Sequence, residues 1–144
     1  MGQNLVFLLL VTEKVTLPVG FRFYRPDPKK TEWHQQDELL RKQGLPQSKR
    51  PAAPANHPLF PTKIELGLQL LAEFKKYFED FYIQSMSVDA VYGSSAFFCK
   101  TAQIYPKTQV ISQLRKNQKV FFRGQAVPVE KVFSGMTPVR DVIS

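Results

Sequence analysis

The stretch "IQSMSVDAVYGSSAFFCKTAQIYPKTQVISQL", residues 83–114, decides the fold class. Residues 83–89 and 108–114 have the pattern of short strands, and residues 94–105 have the pattern of a helix that Pro106 ends. A helix between two strands of a sheet is a crossover connection, and such a connection joins parallel strands. This stretch therefore predicts an α/β fold with at least one parallel strand pair.

Two further strands precede it. Residues 4–12 and 15–24 predict a hairpin with a tight turn at Glu13 and Lys14. The first strand is a continuous apolar run, which is typical of a strand covered on both faces. Pro18 lacks the N–H that a ladder needs, so the second strand is expected at an edge or with a bulge.

The segment between the hairpin and residue 62 is mostly polar or rich in proline. Residues 31–43 predict a short polar helix, with Trp33 anchoring it to the core. Residues 44–61 contain five of the eleven prolines, a composition that favours an extended connector. A second helix is predicted over residues 62–80, because Thr62 has the capping-box spacing to a glutamate three residues later.

Composition limits the class of protein. A length of 144 residues suits one domain, and 43 % hydrophobic residues can form a core. The only cysteine, Cys99, is expected in that core and fits a reducing, intracellular setting. Two histidines do not make a zinc cluster. The apolar run of residues 5–11 is far shorter than the ~20 residues of a membrane helix, so no membrane association is expected.

The positive charge is concentrated in one segment. The net charge is +8, and residues 100–131 hold seven Lys and Arg residues against one acid, Glu130. This pattern favours contacts with nucleic-acid phosphates, and the alternative is a solvated hairpin whose aromatic side chains point inward. No base-reading motif accompanies it. The candidate DNA-binding residues are Arg115, Lys116, Asn117, Lys119 and Arg123.

Asp89 is the candidate metal ligand. It ends a predicted strand, and ligands of α/β sheets bind beyond the carboxyl ends of strands. A carboxylate there suits Mg²⁺, which prefers oxygen ligands. The alternative is structural, because aspartate also caps helices and occupies turns. Position alone leaves both interpretations open.

Four segments together resemble a known family. They are "LVFLLLVTEKVTLPVGFRFYRPDP", "PTKIELGLQLLAEF", "VDAVYGSSAFF" and "TQVISQLRKNQKVFFRG". In this order and spacing the chain resembles bacterial insertion-sequence transposases of the DDE class, which have an RNase H-like catalytic domain. The resemblance covers about residues 4–133. It rests most on the D-A-x-Y-G pattern that begins at Asp89, with a following Phe, and on "QVISQLRKNQ", residues 109–118.

The resemblance implies a fold and a chemistry. The fold would be a partial RNase H-like domain over residues 1–144, a mixed sheet with crossover helices and a basic β-hairpin insertion at residues 108–133. Three acids of the family hold two Mg²⁺ ions for DNA cleavage and strand transfer, and Asp89 would be the second acid and thus a catalytic residue. Transposon-end DNA would be the partner, with a possible homodimer and a cytoplasmic, nucleoid-associated location in bacteria.

The chain departs from the family at the other two acids. The resemblance places the first Asp on a strand before residue 5 and the Glu after residue 133, and the sequence has no equivalent of either. The expectation is a transposase fragment that is inactive alone, with an unfilled edge beside "LVFLLLV". The alternatives are a non-catalytic nucleic-acid-binding module that uses residues 100–131, or a translated remnant without function.

Overall fold

The computed structural model describes residues 4–115 and 117–134. Within them the fold is mixed α/β, with small sheets and four helices. The strands are β1 (Asn4–Val11), β2 (Thr16–Tyr24), β3 (Ser85–Val88), β4 (Gln109–Ser112), β5 (Lys119–Phe122) and β6 (Gln125–Pro128). The helices are α1 (Pro28–Lys42), α2 (Lys63–Tyr77), α3 (Ser95–Ile104) and α4 (Val129–Phe133).

β1 and β2 form the predicted antiparallel hairpin. The register shifts between Leu8 and Leu9, where Leu8 pairs with Gly20 and Leu9 pairs with Pro18. One residue of β2 is therefore extra at this point, as in a β-bulge. The bulge predicted from Pro18 is confirmed, because a residue without an N–H cannot continue a regular ladder.

β3 and β4 are parallel, and α3 is the crossover between them. The predicted parallel pair is confirmed. The single mixed sheet is not seen in the described residues, because β1–β2 and β3–β4 are separate two-stranded sheets. Residues of both sheets nevertheless belong to one apolar cluster with residues of α2 and α3, so the two sheets share a core.

Helix α2 forms the centre of that core. Its capping box is present: Thr62 accepts a hydrogen bond from the Glu65 N–H, and Glu65 accepts one from the Thr62 N–H at 2.7 Å. Leu71 and Phe74 pack with residues of α3, and Leu66 and Leu70 pack with Val6 of β1.

Helix α3 corrects the expectation for Cys99. Phe97 is buried and forms part of the core, whereas Cys99 is exposed. Two residues along an α-helix correspond to a rotation of about 200°, so neighbours of this spacing face opposite sides. The apolar neighbours of Cys99 in the sequence therefore do not indicate its burial.

Helix α1 packs on the proline-rich segment instead of the core. It starts at Pro28, earlier than predicted, because Asp27 caps it by accepting a hydrogen bond from the Lys29 N–H. α1 buries no residue, and the indole N–H of Trp33 donates to the Pro51 carbonyl at 2.9 Å. The prediction that Trp33 anchors the helix to the core is wrong, since its partner belongs to the connector.

The hairpin of β5 and β6 also forms as predicted. Its turn residues Arg123 and Gly124 have φ values of 51° and 79°. Positive φ at both positions is the signature of a type I′ turn, whose twist suits a two-residue hairpin. The predicted insertion at residues 108–133 begins too early, because β4 pairs with β3. Only the residues after β4 form the separate hairpin of β5 and β6.

Candidate functional site

Asp89 lies directly after β3 and is exposed to solvent. Its carboxylate Oδ1 accepts a hydrogen bond from the Val91 N–H at 3.2 Å, and its carbonyl accepts one from the Tyr92 N–H at 2.9 Å. These bonds cap a short 3₁₀ turn over Ala90–Tyr92. The capping role of Asp89 is therefore present. A carboxylate has about four acceptor positions, so one such bond leaves capacity for a cation.

The parallel pairing of β3 and β4 places two loops at one edge. Parallel strands have their carboxyl ends at the same side of a sheet, and Val88 pairs with Ser112 as the last residues of both strands. Asp89 follows the first strand, and the segment leading to Arg115 follows the second. The Ser112 hydroxyl lies 3.4 Å from the Asp89 carbonyl oxygen and can donate a hydrogen bond to it.

Tyr92 and Gly93 hold this edge against the core. The Tyr92 ring packs 5.3 Å from the Phe97 ring and lies against Gly67 of α2, where an added Cβ would be 3.0 Å from Tyr92 Cε1. An added Cβ at Gly93 would be 2.9 Å from Ser112 Oγ. The Tyr-Gly pair thus has a packing explanation: a large ring fills the space above Gly67, and a small residue lets the turn approach β4.

The pKa of the Tyr92 hydroxyl is affected by its burial and by the charge of Asp89. Burial raises the pKa of the Tyr92 phenol, and the negative charge of Asp89 raises it further. Both effects favour the neutral phenol. Tyr92 is therefore a neutral packing group beside the exposed carboxylate.

A shallow cleft of about 310 Å³ lies beside the 3₁₀ turn. One side of the cleft is formed by the turn and the residue that caps α3: Ala90, Val91, Gly93 and Ser94. The other side is formed by polar residues after β4: Arg115, Asn117 and Gln118. Gln118 connects the two sides, since its Nε2 donates to the Gly93 carbonyl at 3.3 Å. The Arg115 N–H lies 3.4 Å from Gln118 Oε1, to which it can donate.

The structure thus brings two of the predicted DNA-binding residues close to the turn that follows Asp89. Arg115 and Asn117 line the cleft. Lys116 lies outside the described residues. Ser112 and Gln118 connect the two sides of the cleft. Both lie in residues 100–131, which the sequence predicts to contact phosphates, but neither is among the five candidate DNA-binding residues. The alignment of the ends of β3 and β4 is the signal that could have found them.

The other two predicted DNA-binding residues, Lys119 and Arg123, lie on the β5–β6 hairpin. Lys119 begins β5, and Arg123 is in its turn, with the guanidinium carbon 5.2 Å from the centre of the Phe122 ring. Phe121 shares the face of Lys119, because it is two residues further along the strand, and 85 % of its surface is exposed. The alternative in which all aromatic side chains of the hairpin point inward therefore does not hold for Phe121.

The positive charges near the cleft are not neutralised by the described ion pairs. Those pairs are Arg22–Glu73, Lys42–Glu38 and Arg50–Asp37, all before residue 74. In the described part of residues 100–134, Arg115, Lys119 and Arg123 make none of them. The cleft and hairpin are therefore suited to an anionic partner.

The described residues include Asp89 as the one predicted metal ligand. Within residues 4–115 and 117–134, no three His, Cys, Asp or Glu side chains form a group that could hold a metal ion. Asp89 supplies one carboxylate. Two-metal sites position both the attacking and the leaving oxygen, which one carboxylate does not achieve.

Comparisons with protein-family models, with curated proteins and with solved structures found no match to this chain. In the described ranges, no helix is both long enough and apolar enough to cross a bilayer.

Proposed function

We propose that this chain is a DNA-binding segment of an RNase H-like DDE transposase catalytic domain that does not cleave DNA by itself. The observation that carries the proposal is the shared edge of β3 and β4. There, the turn after Asp89 and the polar residues Arg115 and Asn117 form the two sides of one cleft. A phosphate backbone in this cleft would lie beside Arg115, and Asp89 directly precedes the turn that lines the opposite side. The proposed setting is the bacterial cytoplasm, at the nucleoid.

The fold offers a second line of support. β1 pairs only with β2 among the described residues, so its other edge is free. The resemblance places the strand with the first acid next to this edge. β1–β2 and β3–β4 share one apolar core without pairing with each other, an arrangement that such a strand could complete.

The proposed role of Asp89 is one ligand of a Mg²⁺ ion in the assembled enzyme. Its carboxylate is exposed and accepts one hydrogen bond from the described residues, from Val91. Further carboxylates would have to come from another chain or segment. The chain alone is therefore proposed to bind transposon-end DNA through charge and to leave it uncut.

A second candidate is a non-catalytic nucleic-acid-binding module. The observation that favours it is the completed cap: Asp89 already has a structural role in its turn. In this case the basic surface of residues 100–131 would contact phosphates, and Asp89 would bind no metal.

Binding of a fluorescent DNA duplex of about 20 base pairs, measured by anisotropy over a KCl series, tests the DNA contact. Affinity should fall steeply with salt. Arg115→Ala, Lys119→Ala and Arg123→Ala should each reduce the salt slope by about one. The matched control is Lys29→Ala on α1, which removes the same charge elsewhere. Binding that ignores salt, or an equal loss in the control, would contradict the proposed surface.

Asp89→Asn separates the two candidates, because asparagine keeps the cap but loses the charge. In EDTA the variant should bind DNA a few-fold tighter, since a carboxylate repels phosphate. With Mg²⁺ at matched ionic strength this advantage should disappear if Asp89 binds the ion. An unchanged advantage would support the non-catalytic module, and Mg²⁺-dependent cleavage by the chain alone would refute the inactive-fragment proposal.

A further inference from the structure

Four basic side chains lie around the start of α2, although they come from separate parts of the chain. They are Arg25 after β2, Lys30 on α1, Lys63 at the first position of α2 and Lys100 on α3. Only Lys100 belongs to the basic segment of residues 100–131. The fold therefore creates this group, which we call the basic patch, and no run of charge in the sequence announces it.

Two members of the patch lie close to Glu65 in the first turn of α2. The pKa of Glu65 is lowered first by hydrogen bonds from Thr62 and further by the charges of Lys100 and Lys30. An ammonium group has this effect only when it is near the carboxylate. Lys30 Nζ also donates a hydrogen bond to the Asn56 side chain, in the segment that leads into α2. α1 and α3 thus each bring a lysine to the start of α2.

Aromatic rings support the other two cations. Lys63 Nζ lies 5.1 Å from the centre of the Tyr24 ring, and the guanidinium carbon of Arg25 lies 5.8 Å from the centre of the Phe60 ring. Both distances are in the range of cation–π attraction. A ring contacts one face of a guanidinium and leaves the N–H groups at its edge for an anion. Side chains that are already positioned lose less freedom when they bind a partner.

The charge of the patch is not cancelled within the described part of the chain. There, none of the four basic side chains takes part in an ion pair. The acids next to the patch are Asp27 and Glu65, and each already accepts a hydrogen bond from a backbone N–H. Four cations beside two engaged carboxylates leave a positive surface, which favours an anionic partner.

The patch continues from the cleft near Asp89. Tyr92 ends the 3₁₀ turn whose other residues line that cleft, and its ring lies against Gly67 of α2. Lys63 and Gly67 are four positions apart on the helix, so they share a face and are about 6 Å apart along its axis. The cleft, the turn and the start of α2 are therefore successive neighbours.

We propose that the basic patch is a second phosphate-contacting surface, and that a bound DNA duplex extends from the cleft past Tyr92 to the start of α2. A duplex carries phosphates along its whole length, so it can contact both regions at once. An anionic membrane is favoured less, because membrane-surface binding uses the apolar face of an amphipathic helix, and the patch combines residues of several elements. The class of partner rests on the proposed function, but the residues of the patch are not those of the cleft and hairpin.

DNA binding over the same KCl series tests the patch. Lys30→Ala, Lys63→Ala and Lys100→Ala should each reduce the salt slope by about one, because each removes a phosphate contact. Lys14→Ala is the matched control and should leave the slope unchanged. Lys14 is an exposed lysine in the β1–β2 turn, at the opposite end of β2 from Arg25 and about 30 Å from it. Circular dichroism checks that all four variants fold.

The same titrations distinguish failure of the patch from failure of the proposed function. An unchanged slope in the three patch variants, with a reduced slope in Arg115→Ala, Lys119→Ala and Arg123→Ala, would overturn the patch and leave the proposed function standing. The reverse result would support the patch and contradict the proposed cleft and hairpin. An equal loss in Lys14→Ala would overturn the patch, because the effect would then follow net charge alone.

Lysine footprinting of the wild type tests the patch without a substitution. Acetylation of Lys30, Lys63 and Lys100 by an N-hydroxysuccinimide ester, followed by mass spectrometry, should slow several-fold when the duplex is added, and that of Lys14 should not. Unchanged rates at the three lysines would overturn the proposal. Protection by vesicles of phosphatidylserine and phosphatidylcholine, without protection by the duplex, would assign the patch to a membrane and also overturn it.

Discussion

At the residue scale, the sequence leaves two roles open for Asp89: the cap of a turn and a metal ligand. Its hydrogen bond from Val91 shows the cap, and its exposure leaves the carboxylate accessible. These roles differ in what they need: a cap needs a side-chain oxygen, and a metal ligand needs a negative charge. Substitutions that keep one property and remove the other can therefore separate them.

The cap makes a prediction about stability. Asp89→Ala should lower the free energy of unfolding by about 0.5–1 kcal/mol, because the Val91 N–H loses its acceptor. Asp89→Asn should lower it by less than about 0.5 kcal/mol, because the amide oxygen still accepts. Urea unfolding followed by circular dichroism measures both, with the exposed Asp80→Ala as control. Equal losses in the two variants would mean that the charge, and not the cap, stabilises the turn.

At the element scale, the capping box of α2 links helix stability to pH. Hydrogen bonds from the Thr62 backbone and side chain lower the pKa of Glu65 below its ordinary value of 4.5. A carboxyl group whose pKa is lower in the folded state stabilises the fold above the unfolded pKa. This stabilisation is lost as the pH falls through the folded pKa, which lies below 4.5.

Glu65→Gln should therefore remove a pH-dependent part of the stability. Glutamine keeps an acceptor for the box but carries no charge, so we expect a loss of about 0.5 kcal/mol at neutral pH. The difference from wild type should shrink as the pH falls below 4.5. Urea titrations from about pH 7 to pH 3 measure it, with Glu13→Gln in the exposed β1–β2 turn as control. A difference that is constant with pH would contradict the assignment.

In the turn of the β5–β6 hairpin, Arg123 has an unfavourable backbone conformation at a position proposed to contact DNA. Arg123 has a φ of 51°, a region that costs an ordinary L-residue about 1 kcal/mol or more. Asparagine tolerates this region, and Asn-Gly is the preferred type I′ sequence. The arginine charge is thus placed at the tip at the expense of turn stability.

Arg123→Asn should change stability and DNA binding in opposite directions. The hairpin should gain several tenths of a kcal/mol, after subtracting the lost contact with Phe122, while the salt slope of DNA binding falls by about one. Hydrogen exchange of the β5 and β6 amides and anisotropy measure the two effects. Lys119→Asn is the control, since it removes a charge without relieving the turn. A weaker hairpin in Arg123→Asn would contradict the strain argument.

At the scale of the whole molecule, α1 and the proline-rich segment form a unit with its own contacts. Trp33 binds the Pro51 carbonyl, and Arg50 pairs with Asp37 at 2.9 Å. The core residues lie elsewhere, chiefly on β1, α2 and α3. Local contacts without a buried core give low resistance to local unfolding.

Trp33 is the only tryptophan, so its fluorescence reports this unit alone. We expect its urea midpoint to lie below the midpoint seen by circular dichroism, which follows mainly the core helices. Phe74→Leu is a core substitution that should cost about 1 kcal/mol. It should lower the circular-dichroism midpoint and leave the Trp33 fluorescence midpoint unchanged. Coincident midpoints in the wild type would show that α1 unfolds together with the core.

The sequence determined the elements whose signals are local. The pattern of strand, helix and strand over residues 83–114 predicted the parallel pair. The capping-box spacing of Thr62 and Glu65 predicted the start of α2. Each of these depends on a few neighbouring residues, such as a cap, a breaker or a period. For this reason the observed bounds of these elements differ from the predicted ones by only a few residues, and their order along the chain is as predicted.

Only the tertiary structure decided which residues meet and which face is covered. The ends of β3 and β4 align through a pairing between residues more than twenty positions apart, and this builds the cleft near Asp89. The packing of Gly20 and Arg22 on α2 turns the β2 aromatic residues outward. Cys99 and Trp33 illustrate the same limit. Burial depends on the partner that a side chain finds, and the sequence around it does not specify that partner.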